Sequence, residues 1–170
     1  GIAAYDKAEA LLPEPGRKAD VLTEKARMFA DKGDTRCALD LLTRARSVAA
    51  DDPDVHYNLG VLYVRVGQLD AAIAAFDAAV KLKPDHSNAL NNKGVAQEKQ
   101  KKLDDAVKTF EQALAIDARN GFARYNLGLS QFKLRKFPEA QATFEKLLEQ
   151  DAEHADAKFF LGEIYYQTGD

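Results

Sequence analysis

Asparagine recurs at a fixed interval along this chain. Asn58, Asn92 and Asn126 follow one another at steps of 34 residues. Each side-chain amide offers N–H donors and a carbonyl acceptor, and asparagine gains little from a position inside a helix. A row of such amides could hydrogen-bond the backbone of an extended peptide whatever its sequence. The alternative is that each amide bonds only to an adjacent helix.

A second row, with the same step, stands next to these asparagines. Tyr57, Asn91 and Tyr125 precede them directly, and Phe132 follows seven residues after Tyr125. Aromatic side chains on a solvated surface suit anchors for a partner's apolar groups. We therefore expect this row to share a peptide-binding surface with the asparagines, with Tyr57, Tyr125 and Phe132 as the main apolar contacts.

A third row is cationic and consists of Arg65, Lys99 and Lys133. Such an edge could attract an acidic segment of a partner. Cations at the ends of helices also complement the helix dipole, and we favour this structural role while keeping the three residues as candidates for peptide contact.

Signatures of catalysis are missing from the chain. It has no glycine-rich phosphate loop, no nucleophile elbow and no cluster of metal ligands. His56, His86 and His154 lie far apart in sequence and are predicted to be surface or capping residues. Cys37 has no partner for an internal disulfide and is predicted to pack as a small apolar group. We expect no enzymatic activity, no metal and no cofactor.

The three rows belong to a repeat that covers the whole chain. Its clearest unit, residues 53–86, contains a Tyr-Asn-Leu-Gly run followed by Ala72, Phe76 and Pro84, and matching residues recur one period later. Apolar residues at spacings of three and four predict two amphipathic helices in this unit. The first helix (A) would run roughly from Pro53 to Arg65 and the second (B) roughly from Asp70 to Leu82.

This pattern resembles the tetratricopeptide repeat family, whose period is 34. The resemblance implies an all-α fold, a right-handed superhelical solenoid of antiparallel helix hairpins. The complete repeats would be 19–52, 53–86, 87–120 and 121–154. Residues 1–18 would hold the second helix of a truncated repeat plus a loop, and 155–170 the first helix of another, all in one continuous domain. The three rows would then line its concave groove.

Glycine occupies one position in four of the predicted A helices, as Gly60, Gly94, Gly128 and Gly162. Glycine inside a helix costs about 1 kcal/mol relative to alanine. Its recurrence therefore predicts close packing of the helices at this position.

The last predicted helix is unusually apolar for the end of a solenoid. Phe159, Phe160, Ile164 and Tyr166 lie on it, whereas terminal helices usually have a polar outer face. We predict that the chain is a piece of a longer protein and that this helix is an interface with another copy or a missing neighbour. Alternatively, the terminal helix simply tolerates some exposure.

Chaperone-binding members of the family hold a C-terminal carboxylate with a set of Lys, Asn and Arg side chains. The present chain matches only the middle asparagine of that set in any register. We therefore expect no such clamp here.

Composition narrows the possible functions further. The chain is 46% hydrophobic and 30% charged, with a net charge of −3, a poor match to a phosphate backbone. Its apolar stretches are too short to span a membrane. The sequence thus predicts a soluble, non-catalytic scaffold, in the cytoplasm or a bacterial periplasm, that binds a peptide or helix of a partner protein. The alternatives are a targeting or substrate-presenting module of a larger enzyme and an RNA-binding helical-repeat protein.

Overall fold

The computed structural model describes residues 14–169, and the regular secondary structure of that range is entirely α-helical. This confirms the all-α fold. Residues 1–13, which contain most of the helix predicted for residues 1–18, lie outside the described residues. The helices are α1 (Pro15–Asp31), α2 (Thr35–Val48), α3 (Pro53–Arg65), α4 (Leu69–Leu82), α5 (Ser87–Lys99), α6 (Leu103–Ile116), α7 (Gly121–Lys133), α8 (Phe137–Gln150) and α9 (Ala155–Thr168).

The chain divides into two compact units, one ending at Pro84 and the other beginning at Asp85. In the first unit, helix pairs α1–α2 and α3–α4 pack together, and the A helices α1 and α3 touch. In the second unit, α5 pairs with α6, α7 with α8, and α9 packs on α8. Successive A helices of the second unit are also in contact, α5 with α7 and α7 with α9.

Helix starts follow from capping side chains. The Asp52 carboxylate accepts a hydrogen bond from the backbone N–H of Asp54 at 2.8 Å at the start of α3. His86 and His154 cap α5 and α9 through Nδ1, each accepting from a backbone N–H at 3.3 Å. These bonds satisfy N–H groups that the helix itself leaves unpaired. The capping role predicted for the two histidines is confirmed, as are the bounds of α3.

Cys37 contradicts its prediction, because its side chain is exposed and does not pack in a core. It lies in the first turn of α2, where its backbone N–H donates to the Asp34 carboxylate at 3.1 Å. This hydrogen bond lowers the pKa of the Asp34 carboxyl.

A buried polar cluster ties α5 to α7 in the second unit. The Asn120 amide donates to Ser87 Oγ at 2.8 Å and to Asn88 Oδ1 at 3.2 Å. Its carbonyl oxygen accepts from the backbone N–H of Ala123 at 3.0 Å and so caps α7. Ser87 in turn donates to the Ala113 carbonyl at 3.0 Å. These bonds fix the two A helices side by side.

Each unit buries its own apolar core. In the first unit, leucines and alanines from α1, α2 and α3 meet, with Leu22, Leu42 and Leu59 at the centre. In the second unit, α6 and α7 pack around Phe110, while α8 and α9 pack around Phe144 and Ile164. Four alanines at one repeat position of the B helices are also fully buried, namely Ala38, Ala72, Ala106 and Ala140.

Three of the four repeated glycines lie directly beneath a phenylalanine ring of the following B helix. A Cβ atom built on Gly60, Gly94 or Gly128 would lie 2.5, 2.5 or 2.7 Å from Cε1 of Phe76, Phe110 or Phe144, respectively. No side chain fits in that space, which confirms the predicted close packing. At Gly162 a Cβ atom would meet nothing within 4 Å, so the prediction is wrong at this position.

The turn from the A to the B helix uses a left-handed residue in every complete repeat. Its φ angle is 85° at Gly33, 78° at Gly67, 65° at Lys101 and 58° at Arg135. A residue with a side chain pays roughly 1–2 kcal/mol for this conformation, whereas glycine adopts it without steric cost.

We therefore expect Lys101→Gly to raise the free energy of unfolding by about 0.5–1 kcal/mol, the steric gain less the added chain entropy. Urea denaturation followed by circular dichroism measures the change. Lys108→Gly, an exposed site within α6, is the control and should destabilise by about 1 kcal/mol. Destabilisation by both substitutions would contradict the expectation.

Candidate functional site

Asn58, in the first unit, is half-buried on the A helix α3. Its Nδ2 donates to the backbone carbonyl of Asp54 at 2.7 Å, one turn earlier in the same helix. Part of its hydrogen-bonding capacity is thus used within its own helix, whereas the structural alternative for this row expected a bond to an adjacent helix.

The asparagines of the second unit form a chain of side-chain amides. Asn126 Nδ2 donates to Asn91 Oδ1 at 2.9 Å, and Asn91 Nδ2 donates to Asn92 Oδ1 at 3.3 Å. Asn91 is only 8% exposed. The structure therefore places Asn91, a candidate for peptide contact, inside the α5–α7 contact, where it orients the half-buried Asn92 and Asn126.

The cationic row mainly serves helix ends and ion pairs. Arg65 donates to the backbone carbonyl of Ala30, at the end of α1. Lys133 forms an ion pair with Glu98, which joins α7 to α5. Lys99 is exposed in the last turn of α5. Arg65 and Lys133 also lie in the last turns of α3 and α7, as the helix-dipole alternative for this row expects. The ion pair of Lys133 was not predicted.

Each aromatic candidate packs against another ring. Tyr57 lies 6.0 Å from Phe76, centroid to centroid. Phe132 lies 5.2 Å from Phe160, and Tyr125 stacks on His154 at 5.3 Å with an angle of 24° between the rings. Phe132 is half-buried in this cluster of the second unit, so its ring supports α9.

The predicted interface residues of α9 divide between two faces. Ile164 is fully buried, and Phe160 stacks on Phe144 at 5.5 Å. Ile164 belongs to the core of the second unit, and the half-buried Phe160 packs against that core, which corrects their assignment to an outer interface. Phe159 and Tyr166 are 62% and 85% exposed and remain candidates for contact with a partner.

A cleft of about 610 Å³ opens in each unit beside a Tyr-Asn pair. In the second unit it lies where α7 and α9 begin and α8 ends, and it is lined by Phe122, Tyr125, Asn126, Leu147, His154 and Asp156, among others. In the first unit it lies between α1 and α3, and its lining includes Asp20, Thr23, Asp54, Tyr57 and Asn58. Four of the predicted peptide-binding residues are therefore cleft residues.

Phe122 is the cleft residue that sequence reasoning missed. It is 78% exposed, although it lies within α7 and not at a chain end, and residues of the next two helices, α8 and α9, line the same cleft. The signal was present in the repeat, because the matching residues of the other A helices are Asp20, Asp54, Asn88 and Asp156. An apolar side chain at a position that is otherwise polar marks this cleft.

The surroundings of Tyr125 are electronegative. Burial raises the pKa of its hydroxyl, and the nearby carboxylates of Asp156 and Glu98 raise that pKa further. Each effect disfavours the phenolate, so Tyr125 is a neutral hydrogen-bonding group beside the cleft.

Neither a metal site nor a membrane-spanning helix is found in residues 14–169. No group of three or more His, Cys, Asp or Glu side chains there is arranged to hold a metal ion. In the same range, no helix has the length and apolar character needed to cross a membrane.

Antiparallel helix pairs with a fixed period, and clefts that open beside their A helices, define a helical-repeat protein. The profile of the tetratricopeptide repeat family matches residues 23–85, 59–121 and 125–170. The chain therefore belongs to the tetratricopeptide repeat family. No curated protein sequence matches it.

Solved structures of other repeat proteins share this fold. The chain superimposes on MamA 41-end from Desulfovibrio magneticus RS-1 with a TM-score of 0.81 at 24% identity, covering 91% of this chain and 88% of that one. For YrrB, a TPR protein with an unusual peptide-binding site, the TM-score is 0.79 at 21% identity, covering 99% and 86%. For the first TPR of Spaghetti (RPAP3) bound to the HSP90 peptide SRMEEVD, it is 0.66 at 24% identity, covering 69% and 96%.

Proposed function

We propose that this protein is a non-catalytic scaffold that binds a peptide or helix of a partner protein in the clefts beside its A helices. The observation that supports this most directly is Phe122, a large apolar side chain that stands 78% exposed at a cleft. An exposed aromatic residue next to a half-buried Tyr-Asn pair has the composition of a protein-binding hot spot.

The surrounding residues have separable roles in this proposal. Tyr57 and Tyr125 give apolar contact, and Asn58 and Asn126 hydrogen-bond the partner's backbone with the amide capacity that is not used internally. Asn91 and Asn92 hold Asn126 in place. Arg65 and Lys133 stabilise helix packing, so they contribute to the shape of the surface more than to direct contact.

The structural neighbours are consistent with a binding role. YrrB is described by its peptide-binding site, and RPAP3 was solved with a chaperone peptide. The fold therefore supports peptide binding in other proteins. The chain does not match the family's carboxylate clamp, so we expect a partner other than a chaperone C-terminus.

Phe122→Ser is expected to remove the partner while leaving the fold intact. Loss of a central aromatic anchor typically costs at least about 2 kcal/mol of binding, or about thirtyfold in Kd. The measurement is a pull-down from native lysate, with bound proteins identified by mass spectrometry and the recovered partner titrated against both proteins by calorimetry.

Ile116→Ser is the matched control, because Ile116 is also an exposed apolar residue but lies at the end of a B helix, outside the cleft. It should retain the same partner as the unaltered chain. Equal retention of the partner by both variants would show that the cleft is not the binding site. Recovery of RNA in place of protein would show that the scaffold proposal is wrong.

A further inference from the structure

The cleft of the second unit combines aromatic surface with negative charge. Phe122 and Tyr125 supply ring faces, and Asp151 and Asp156 supply carboxylates, against one guanidinium from Arg119. The pKa of Tyr125 also indicates negative charge near this cleft, because both charged groups that raise it are carboxylates.

The cleft of the first unit shares the tyrosine ring and the carboxylates, but its lining contains no phenylalanine or leucine. There Tyr57 is flanked by Asp20 and Asp54, which occupy the repeat position of Asp156. Glu24, also in the lining, is already paired with Arg27 at 3.1 Å. An aromatic ring beside carboxylates thus recurs in a second cleft.

We propose that each cleft takes a lysine or arginine side chain of the partner protein. The inference rests on the proposed function and specifies the chemistry of its ligand. In the cleft of the second unit, the aliphatic stem of such a side chain would lie along Phe122 and Leu147. Its charged head would lie over an aromatic face, as cations do, and reach the carboxylate of Asp156.

Other occupants fit the cleft less well. An acidic residue would face like charge from Asp151 and Asp156. A purely apolar anchor would cover the rings but would also remove water from the carboxylates without replacing its hydrogen bonds, which is costly. A basic side chain satisfies the ring faces and the carboxylates together.

The test is an NMR titration of the full chain, labelled with ¹⁵N, with four blocked tripeptides of the form glycine-X-glycine. X is lysine, glutamine, leucine or glutamate. We expect the lysine peptide to shift the backbone amides of Phe122, Tyr125 and Asp156, with an affinity at least about threefold higher than that of the glutamine peptide, as a cation over an exposed ring predicts. The glutamate peptide should leave these amides unchanged.

Asp156→Asn separates charge recognition from simple apolar contact. It should lower the affinity of the lysine peptide toward that of the glutamine peptide, because the carboxylate is lost while the ring contact remains. The affinity of the leucine peptide should not change. Glu111→Gln, which removes one exposed carboxylate from the B helix α6, is the control for net charge and should change neither.

The outcomes distinguish this inference from the proposed function. Shifts at the cleft with the leucine peptide alone would overturn the basic-ligand inference and leave the peptide-binding scaffold standing. Lysine shifts spread over all acidic surfaces, or weakened equally by Glu111→Gln, would also overturn it. If no tripeptide shifts the cleft amides, the inference fails, and the pull-down with Phe122→Ser then decides the proposed function separately.

Discussion

Phe110→Ala is expected to lower the free energy of unfolding by about 3–5 kcal/mol, as the removal of a buried aromatic ring does in other proteins. The Phe110 ring is 0% exposed and packs with Val107 and Leu127 while covering Gly94. Because the backbones of α5 and α6 are held by their own hydrogen bonds, they cannot close around the space that the ring leaves. Urea denaturation followed by circular dichroism measures the loss.

The same substitution at Phe122 is the control. Phe122 is 78% exposed, so Phe122→Ala should change stability by less than about 0.5 kcal/mol. A small effect at both positions would show that the ring of Phe110 is not an essential part of the core.

The repeat makes the helices of this protein predictable from its sequence. The period places every described helix pair, and the Asp-Pro pair at positions 52 and 53 marks the start of α3. The glycine beneath each phenylalanine is also encoded, because glycine is unfavourable in a helix unless a neighbour requires the space. Gly162 shows the limit of this reasoning, since the residue type is repeated there without the ring that explains it.

The candidate site was less predictable, because a polar side chain can form hydrogen bonds with several different groups that lie within its reach. Asn91 and Asn126 occur in adjacent rows of the repeat, yet their environments differ. Asn91 is buried and donates to Asn92, whereas the half-buried Asn126 donates to Asn91. Arg65 reaches a carbonyl 35 residues away in sequence. Periodicity fixes the face of a helix on which such a residue lies, but the hydrogen bond depends on the neighbouring helix.

The terminal helix illustrates the same limit for apolar residues. Phe159 and Phe160 are adjacent in sequence, so they point to different faces of α9. The sequence identifies both as apolar, but only the packing of α9 on α8 shows that Phe160 packs against the core while Phe159 is exposed.

Alanine substitutions at Gly94 and Gly162 are expected to have opposite effects on stability. Both residues occupy the same position of an A helix, and both should gain up to about 1 kcal/mol from the higher helix propensity of alanine. At Gly94 the new methyl group would lie 2.5 Å from Phe110, and overpacking of a core costs about 1–3 kcal/mol. Gly94→Ala should therefore destabilise by up to about 2 kcal/mol, whereas Gly162→Ala should stabilise by about 0.4–1 kcal/mol.

A double-mutant cycle shows whether the ring is the cause. If the cost at Gly94 comes from contact with Phe110, then Gly94→Ala should become stabilising in the Phe110→Ala background, because the methyl group enters the vacated space and the helix gain remains. The coupling free energy between the two sites should then lie within the range of about 0.5–3 kcal/mol that is typical of residues in contact. A cost at Gly94 that persists without the ring would instead place the strain in the approach of the helix backbones, and the repeated glycine would then be required by α5 and α6 themselves.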